Sequence, residues 1–161
     1  MVTRTARWLG LLLILTTVGC DRVTKHLALT HLAGEPGQSY LSGTVRLEFA
    51  ENSGAFLSLG THLPEALRTV LFVGGVGLLL IGVAVVAIRQ RWQGALFCGA
   101  ALLWAGGVSN LIDRVMRGSV VDFMNFGVGS LRTGIFNVAD VAIMTGAALI
   151  ILGSWRQEEA V

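Results

Sequence analysis

The chain of 161 residues is 53% hydrophobic and only 14% charged, with a formal net charge of +2. Soluble domains carry about 25% charged residues, so composition excludes a water-soluble globule, and so small a charge gives no argument for nucleic acid. Glycine (21 residues, against 2 prolines) stands at roughly double its usual share, which suits closely packed membrane helices rather than collagen or a Pro-rich linker.

Arg4 and Arg7 precede an apolar run that closes in "LTTVGCDRVTK", residues 15–25. Two readings compete there. Met1–Cys20 has the layout of a bacterial lipoprotein signal: basic start, short apolar core, small residue before the cysteine. Alternatively, residues 8–29 form a first membrane span that carries Asp21 and Lys25 near its end. In the following loop, 30–63, "TVRLEF" alternates Val45, Leu47 and Phe49 with Arg46 and Glu48. With "ENSG" as a turn and "AFLSL" as the returning strand, a small β-hairpin is expected, a cradle against the outer leaflet. Residues 69–88 and 92–112 contain no charge and predict two spans, joined by a tight turn holding Arg89 and Arg91. Segment 115–133, with Gly118, Gly127 and Gly129, predicts a jointed, partly helical interfacial stretch. Residues 136–155, interrupted only by Asp140, predict the fourth span. The expected fold is an all-α polytopic membrane protein, one integral domain over 1–161 and a monomer.

Arg4, Arg7, Arg89, Arg91 and Arg156 fall on one side of four such spans. The excess of basic residues makes that side cytoplasmic, with both termini there. Trp8, Trp92 and Trp155 lie at the same boundary, where amphipathic rings prefer to sit. The polar membrane-edge groups gather at the opposite, outer side: Asp21, Lys25, Asn110, Asp113, Arg114, Asp122, Asn137 and Asp140. Ionisable groups are costly in lipid, so such a gathering marks function.

Asp122 and Asp140 are the candidate chemistry. Two carboxylates forced together in a low-dielectric site cannot both ionise, so they share a proton and supply one base and one acid, the aspartic-protease arrangement. Asn137 lies three residues before Asp140, and Asn110 four before Arg114, spacings that put each pair on one helix face. Asp113 reads as an ion-pair partner of Arg114. Gly106 and Gly107 allow close approach by a helix or a substrate chain, or simply pack. Asp21 and Lys25, an i, i+4 pair, read as a brace for the first span. A Ser53–Lys25 protease is the weaker alternative. His26, His31 and His62 lack metal-ligand spacing, and Cys20 and Cys98 sit in apolar runs, so neither metal nor disulfide is expected. No cofactor is expected.

"DRVTK" (21–25), "NSGAF" (52–56), "GGVSNLIDR" (106–114), "VVDF" (120–123) and "FNVAD" (136–140) together resemble the ordered motif set of bacterial lipoprotein signal peptidase, or signal peptidase II. The resemblance spans nearly the whole chain. It implies an aspartic endopeptidase of the bacterial inner membrane, with Asp122 and Asp140 as catalytic dyad near the periplasmic face. It implies that Asn52, Gly54, Asn110, Arg114 and Asn137 line or support the site, together with the Asp21–Lys25 pair. Its substrates would be prolipoproteins, cut before a diacylglyceryl cysteine within membrane lipid, and globomycin-type inhibitors would bind. Two positions depart from the family pattern: Arg22 stands where Gln is commoner, and Gly134 where a Pro is often found. The resemblance also decides the opening segment. Three further spans follow it, and Thr17 replaces the large apolar residue of a lipoprotein signal, so Cys20 is a helix residue. A small proton-coupled transporter or channel is the rival function, and a polytopic lipoprotein the third.

Overall fold

A computed structural model describes residues 4–54 and 62–158. Helix α1 runs over Arg4–His31 and is followed by strands β1 (Gln38–Tyr40) and β2 (Val45–Asn52). Helix α2 covers Glu65–Arg89, with a π-helical stretch at Val70–Gly75. Helix α3 (Gly94–Arg117) leads into β3 (Val120–Val128) and β4 (Leu131–Arg132), and α4 (Val138–Glu158) ends the described chain.

Helices α2, α3 and the Val138–Trp155 part of α4 are each long and apolar enough to cross a membrane. Their outward residues suit lipid: Leu78 is 71% exposed and Ile88 76%. Helix α1 has the length, 28 residues, but carries Asp21, Arg22 and Lys25 in its second half.

Small residues bring α3 and α4 together. A Cβ on Gly99 would stand 2.7 Å from the Gly146 carbonyl, and one on Gly106 would overlap the carbonyl of Ala139. In lipid there is no hydrophobic drive between helices, so backbone contact of this kind supplies the packing. Gly107 meets the Leu80 side chain of α2 in the same way. Both glycines therefore serve helix packing. Gly118, with φ of 76°, stops α3 in the left-handed conformation and donates its N–H to the Arg114 carbonyl.

At one end of the helices lies an antiparallel sheet in the order β1-β2-β3-β4. Two expectations change here. The chain is mostly helical, and the strand expected at Val45–Phe49 belongs to a four-stranded sheet rather than to a two-stranded hairpin alone. And segment 115–133 is strand over Val120–Val128, where the sequence predicts a partly helical stretch. The expected returning strand "AFLSL" lies outside the described residues; β2 pairs instead with β1 and β3. The reason is tertiary: "VVDFMNF" is rich in β-branched and aromatic residues, and β2 offers it a partner edge that no local window contains. Val121 and Phe123 of β3 then pack on Ala28 of α1 and on Leu32 just beyond its end, which seats the sheet against the helices.

A β-bulge interrupts the pairing of β2 with β3. Leu47 pairs with Met124, but Ala50 pairs with Asp122, so Glu48 and Phe49 together oppose Phe123. The inserted residue shifts the in–out alternation of β2. Asn52, rather than Glu51, therefore shares a face with Asp122.

Candidate active site

Asp122 is the third residue of β3, buried, with its carboxylate held at both oxygens. Asn52 Nδ2 donates to Oδ2 at 3.0 Å, and Asn137 Nδ2 donates to Oδ1 at 2.6 Å. Burial pushes this carboxyl up to about 6. The negative charge of Asp140 adds to the rise, while the two asparagine bonds and Lys25 hold it down.

Asp140 stands in the first turn of α4. Asn137, just before the helix, accepts the Asp140 N–H on Oδ1 at 2.9 Å, and Asp140 Oδ2 accepts the Asn137 N–H at 3.1 Å. This is a capping box written with Asn and Asp. It corrects the expectation that the two share a helix face: Asn137 is the cap. Asp140 Oδ1 takes a further bond from Asn110 Nδ2 at 2.9 Å.

The orientation of Asn110 is dictated by Lys25. Its ammonium can only donate, and it meets Asn110 Oδ1 at 2.7 Å, which turns the amide nitrogen toward Asp140. Lys25 is buried, with Asp21 and Asp113 each at 2.8 Å as its other partners. Asp21 in turn accepts the Ala139 N–H at 2.8 Å and the Ser109 hydroxyl at 2.6 Å. The pair thus ties α1 to α3 and to the first turn of α4, satisfying one of the helix's unpaired N–H groups.

Asp113 does not pair with Arg114. Its partners are Lys25 and Arg22 of α1. The side chain of Asp113 leaves α3 toward α1, whereas Arg114, one residue on, points toward β2. Arg114 donates to the Gly54 carbonyl at 2.8 Å and to the Asn110 carbonyl at 3.4 Å, and its guanidinium lies 5.9 Å from the Phe72 ring centroid. Gly54 donates its N–H to Asn52 Oδ1 at 3.1 Å, so Arg114, Gly54 and Asn52 form one chain of bonds leading to Asp122. Ser53 has no contact with Lys25; it lines a separate cavity, which removes the Ser–Lys alternative.

Asp122, Asp140, Asn52, Asn110 and Arg114 line one cavity of about 290 Å³. Its far wall is the extended segment from Thr133 to Phe136, and its side wall is Val141 and Met144 of α4. Asn137, fully buried beneath it, bonds to both carboxylates. Three residues in this framework carry no signal of their own in the sequence reading. Ser109 holds Asp21, and its only mark is its place beside Asn110. Asn125 donates to the Thr133 carbonyl at 2.6 Å, and Arg132 binds Asn125 and the Gly43 carbonyl, so the two anchor the far wall. No local pattern marks them. Among the described residues, no His, Cys, Asp and Glu cluster has the makings of a metal site.

The family model for signal peptidase (SPase) II matches residues 13–156. The chain belongs to the signal peptidase II family. A lipoprotein signal peptidase of Chlorobium phaeovibrioides is 36% identical over 157 residues, covering 91% of this chain and 89% of the relative. One from Sphingopyxis alaskensis is 35% identical over 144 residues, covering 88% and 82%. The fold is similar to that of a bacterial membrane enzyme solved at 2.3 Å, with a TM-score of 0.81 at 25% identity, covering 92% of this chain and 88% of the other. As a signal peptidase II, the protein is a multi-pass membrane hydrolase, and the resemblance drawn from its five motifs is a family relationship.

Proposed function

We propose that this chain is an aspartic endopeptidase that removes signal peptides from lipid-modified prolipoproteins, cutting before the diacylglyceryl cysteine. One observation carries the reading: carboxylates from distant segments, Asp122 and Asp140, line one cavity, and each takes two hydrogen bonds from the same group of asparagines. The pair holds one proton at rest, on the buried Asp122. Asp140 is the base, supported by its place at a helix N-terminus and by the Asn110 amide that Lys25 polarises. A water loses its proton to Asp140 as its oxygen bonds to the scissile carbonyl carbon, and Asp122 protonates the carbonyl oxygen. As the tetrahedral intermediate collapses, the C–N bond breaks and Asp140 passes its proton to the leaving amine. The intermediate's hydroxyl returns its proton to Asp122, which restores the resting pair.

In this reading α1 makes a fourth crossing. Its 28 residues extend roughly 42 Å, and Asp21 and Lys25 are buried against protein rather than lipid. Arg4, Arg7, Arg89 and Arg91 lie in the cytoplasm, with the sheet and cavity at the periplasmic face of the inner membrane. Val141 and Met144 line the cavity and are 47% and 58% exposed, which gives a lipid-bearing cysteine a lateral approach along α4. The transporter reading has less support. Among the described residues, buried polar side chains of α3 begin only at Ser109, leaving no polar path toward Arg91.

The test is cleavage of a lipidated prolipoprotein by the purified protein in lipid, read as a gel shift. Asp122→Asn and Asp140→Asn should each reduce turnover by at least about 100-fold while leaving the protein folded and inserted. Globomycin should inhibit, and EDTA and serine-acylating reagents should not. Appreciable turnover by either variant removes the dyad, and loss on chelation restored by a divalent cation points to a metallopeptidase.

A further inference from the structure

Helices α2 and α3 run antiparallel from the tight turn that joins them, and two contacts fix their register. Leu80 packs on Gly107, and Phe72 meets Arg114, its ring centroid 5.9 Å from the guanidinium carbon. Between those contacts α3 advances seven residues, from 107 to 114, and α2 eight, from 80 to 72. In a plain α-helix eight residues overshoot two turns by roughly 80°, which would swing Phe72 off the face that carries Leu80. The π-helical stretch Val70–Gly75, which contains Phe72, has wider turns and offsets that swing. Val70 and Leu71 beside it are 65% and 45% exposed, whereas Phe72 is half-buried and turned inward. Stretches of this kind are rare and occur frequently at functional sites.

We propose that Phe72 is a positioning residue for the peptidase site, acting through Arg114; the proposal rests on the peptidase reading. The Arg114 fork is held by the Gly54 carbonyl at 2.8 Å and, more loosely, by the Asn110 carbonyl at 3.4 Å. Its Nε is buried with no hydrogen-bond partner among the described residues, so no acceptor holds that edge of the group. The face of a ring attracts a guanidinium without any acceptor atom, and more strongly where water is excluded. Phe72 therefore keeps the guanidinium against α2 with its fork on the Gly54 carbonyl. From there the chain of bonds is short: Gly54 donates to Asn52 Oδ1, and Asn52 donates to Asp122. A leucine at position 72 would fill the same apolar space and leave the cation unheld.

The test replaces Phe72 in the full-length protein by mono-, di- and trifluorinated phenylalanine, which keeps the ring's shape while draining the negative charge of its face. Cleavage of the lipidated prolipoprotein should fall stepwise along the series, to a total of roughly 2- to 30-fold, the range of a ring–cation contact. Phe72→Tyr keeps the face and should stay near wild type, whereas Phe72→Leu should match the trifluorinated protein. Fluorine NMR of the monofluorinated protein in detergent reads the contact without any cleavage. Its resonance should move on Arg114→Gln and stay in place on Arg89→Gln, at the other membrane edge. A single rate across the series overturns the role of Phe72 and leaves the peptidase reading intact. A resonance indifferent to Arg114→Gln removes the contact itself. Failure of the unsubstituted protein to cleave overturns the peptidase reading and this role with it, while the resonance still reports whether ring and guanidinium meet.

Discussion

Asn137 and Asp140 cap one another: each accepts the other's backbone N–H, at 2.9 and 3.1 Å, and the same Asn137 amide donates to Asp122 at 2.6 Å. One side chain therefore starts helix α4 and orients both carboxylates. The two roles separate by mutation. Asn137→Ser keeps a good N-cap and loses the amide donor, so stability should stay near wild type while cleavage falls roughly 10- to 100-fold. Asn137→Ala loses the cap as well and should cost about 1 kcal/mol more in thermal unfolding in detergent. Full cleavage by the serine variant would reduce Asn137 to a cap.

The raised Asp122 carboxyl sets a pH dependence. The Asp122 carboxyl loses its proton as pH rises through about 6, so kcat/KM should fall with rising pH through that region. The folded-state value lies above the unfolded one, so the linked stability is fully present below the ordinary carboxylate range near 3.9 and is lost as pH rises through about 6. Asp122→Asn has no proton to lose and should flatten that part of the unfolding profile. Asn52→Ala removes a bond that holds the carboxyl down, and should move the alkaline limb of any residual activity to higher pH. A limb that stays in place in Asn52→Ala would show that another group governs it.

Arg114→Lys keeps the charge and loses the fork that joins the Gly54 and Asn110 carbonyls. Cleavage should fall by about 10- to 100-fold with near-normal expression. Arg117→Lys, whose partner Glu51 is on the exposed rim, should be close to neutral for cleavage. Full activity in Arg114→Lys would leave that residue as a membrane-edge anchor only.

Topology can be read by single-cysteine labelling of whole cells with an impermeant maleimide, in a Cys20→Ser, Cys98→Ser background. Ser42 and Ser130, both exposed, should label, and Gln90 should not. Ser130 is the better probe of the β3–β4 turn, because a Cβ at neighbouring Gly127 would run into the Leu131 carbonyl. The reverse pattern would put the cavity in the cytoplasm.

The helices at 69–88, 92–112 and 136–155 were legible because a span is a local property: some twenty apolar residues in a row, closed by arginine and tryptophan. The five motifs were legible as an ordered set for the same reason, since each sits on contiguous residues. What those residues do to one another was not. That Asp113 turns to Arg22 and Lys25 while Arg114 turns to Gly54 follows from which helices flank α3, and neighbours in sequence on a helix point in different directions. Strand β3 exists because β2 offers it an edge some seventy residues away, and Asn52 reaches Asp122 only because a bulge resets the alternation of β2. The orientation of the Asn110 amide is set by Lys25, a residue of another helix far away in sequence. Local pattern decided where the three apolar spans lie and which residues are too costly to be idle in lipid. Only the packed chain decided which of those residues meet, because a contact between distant segments depends on every element that lies between them.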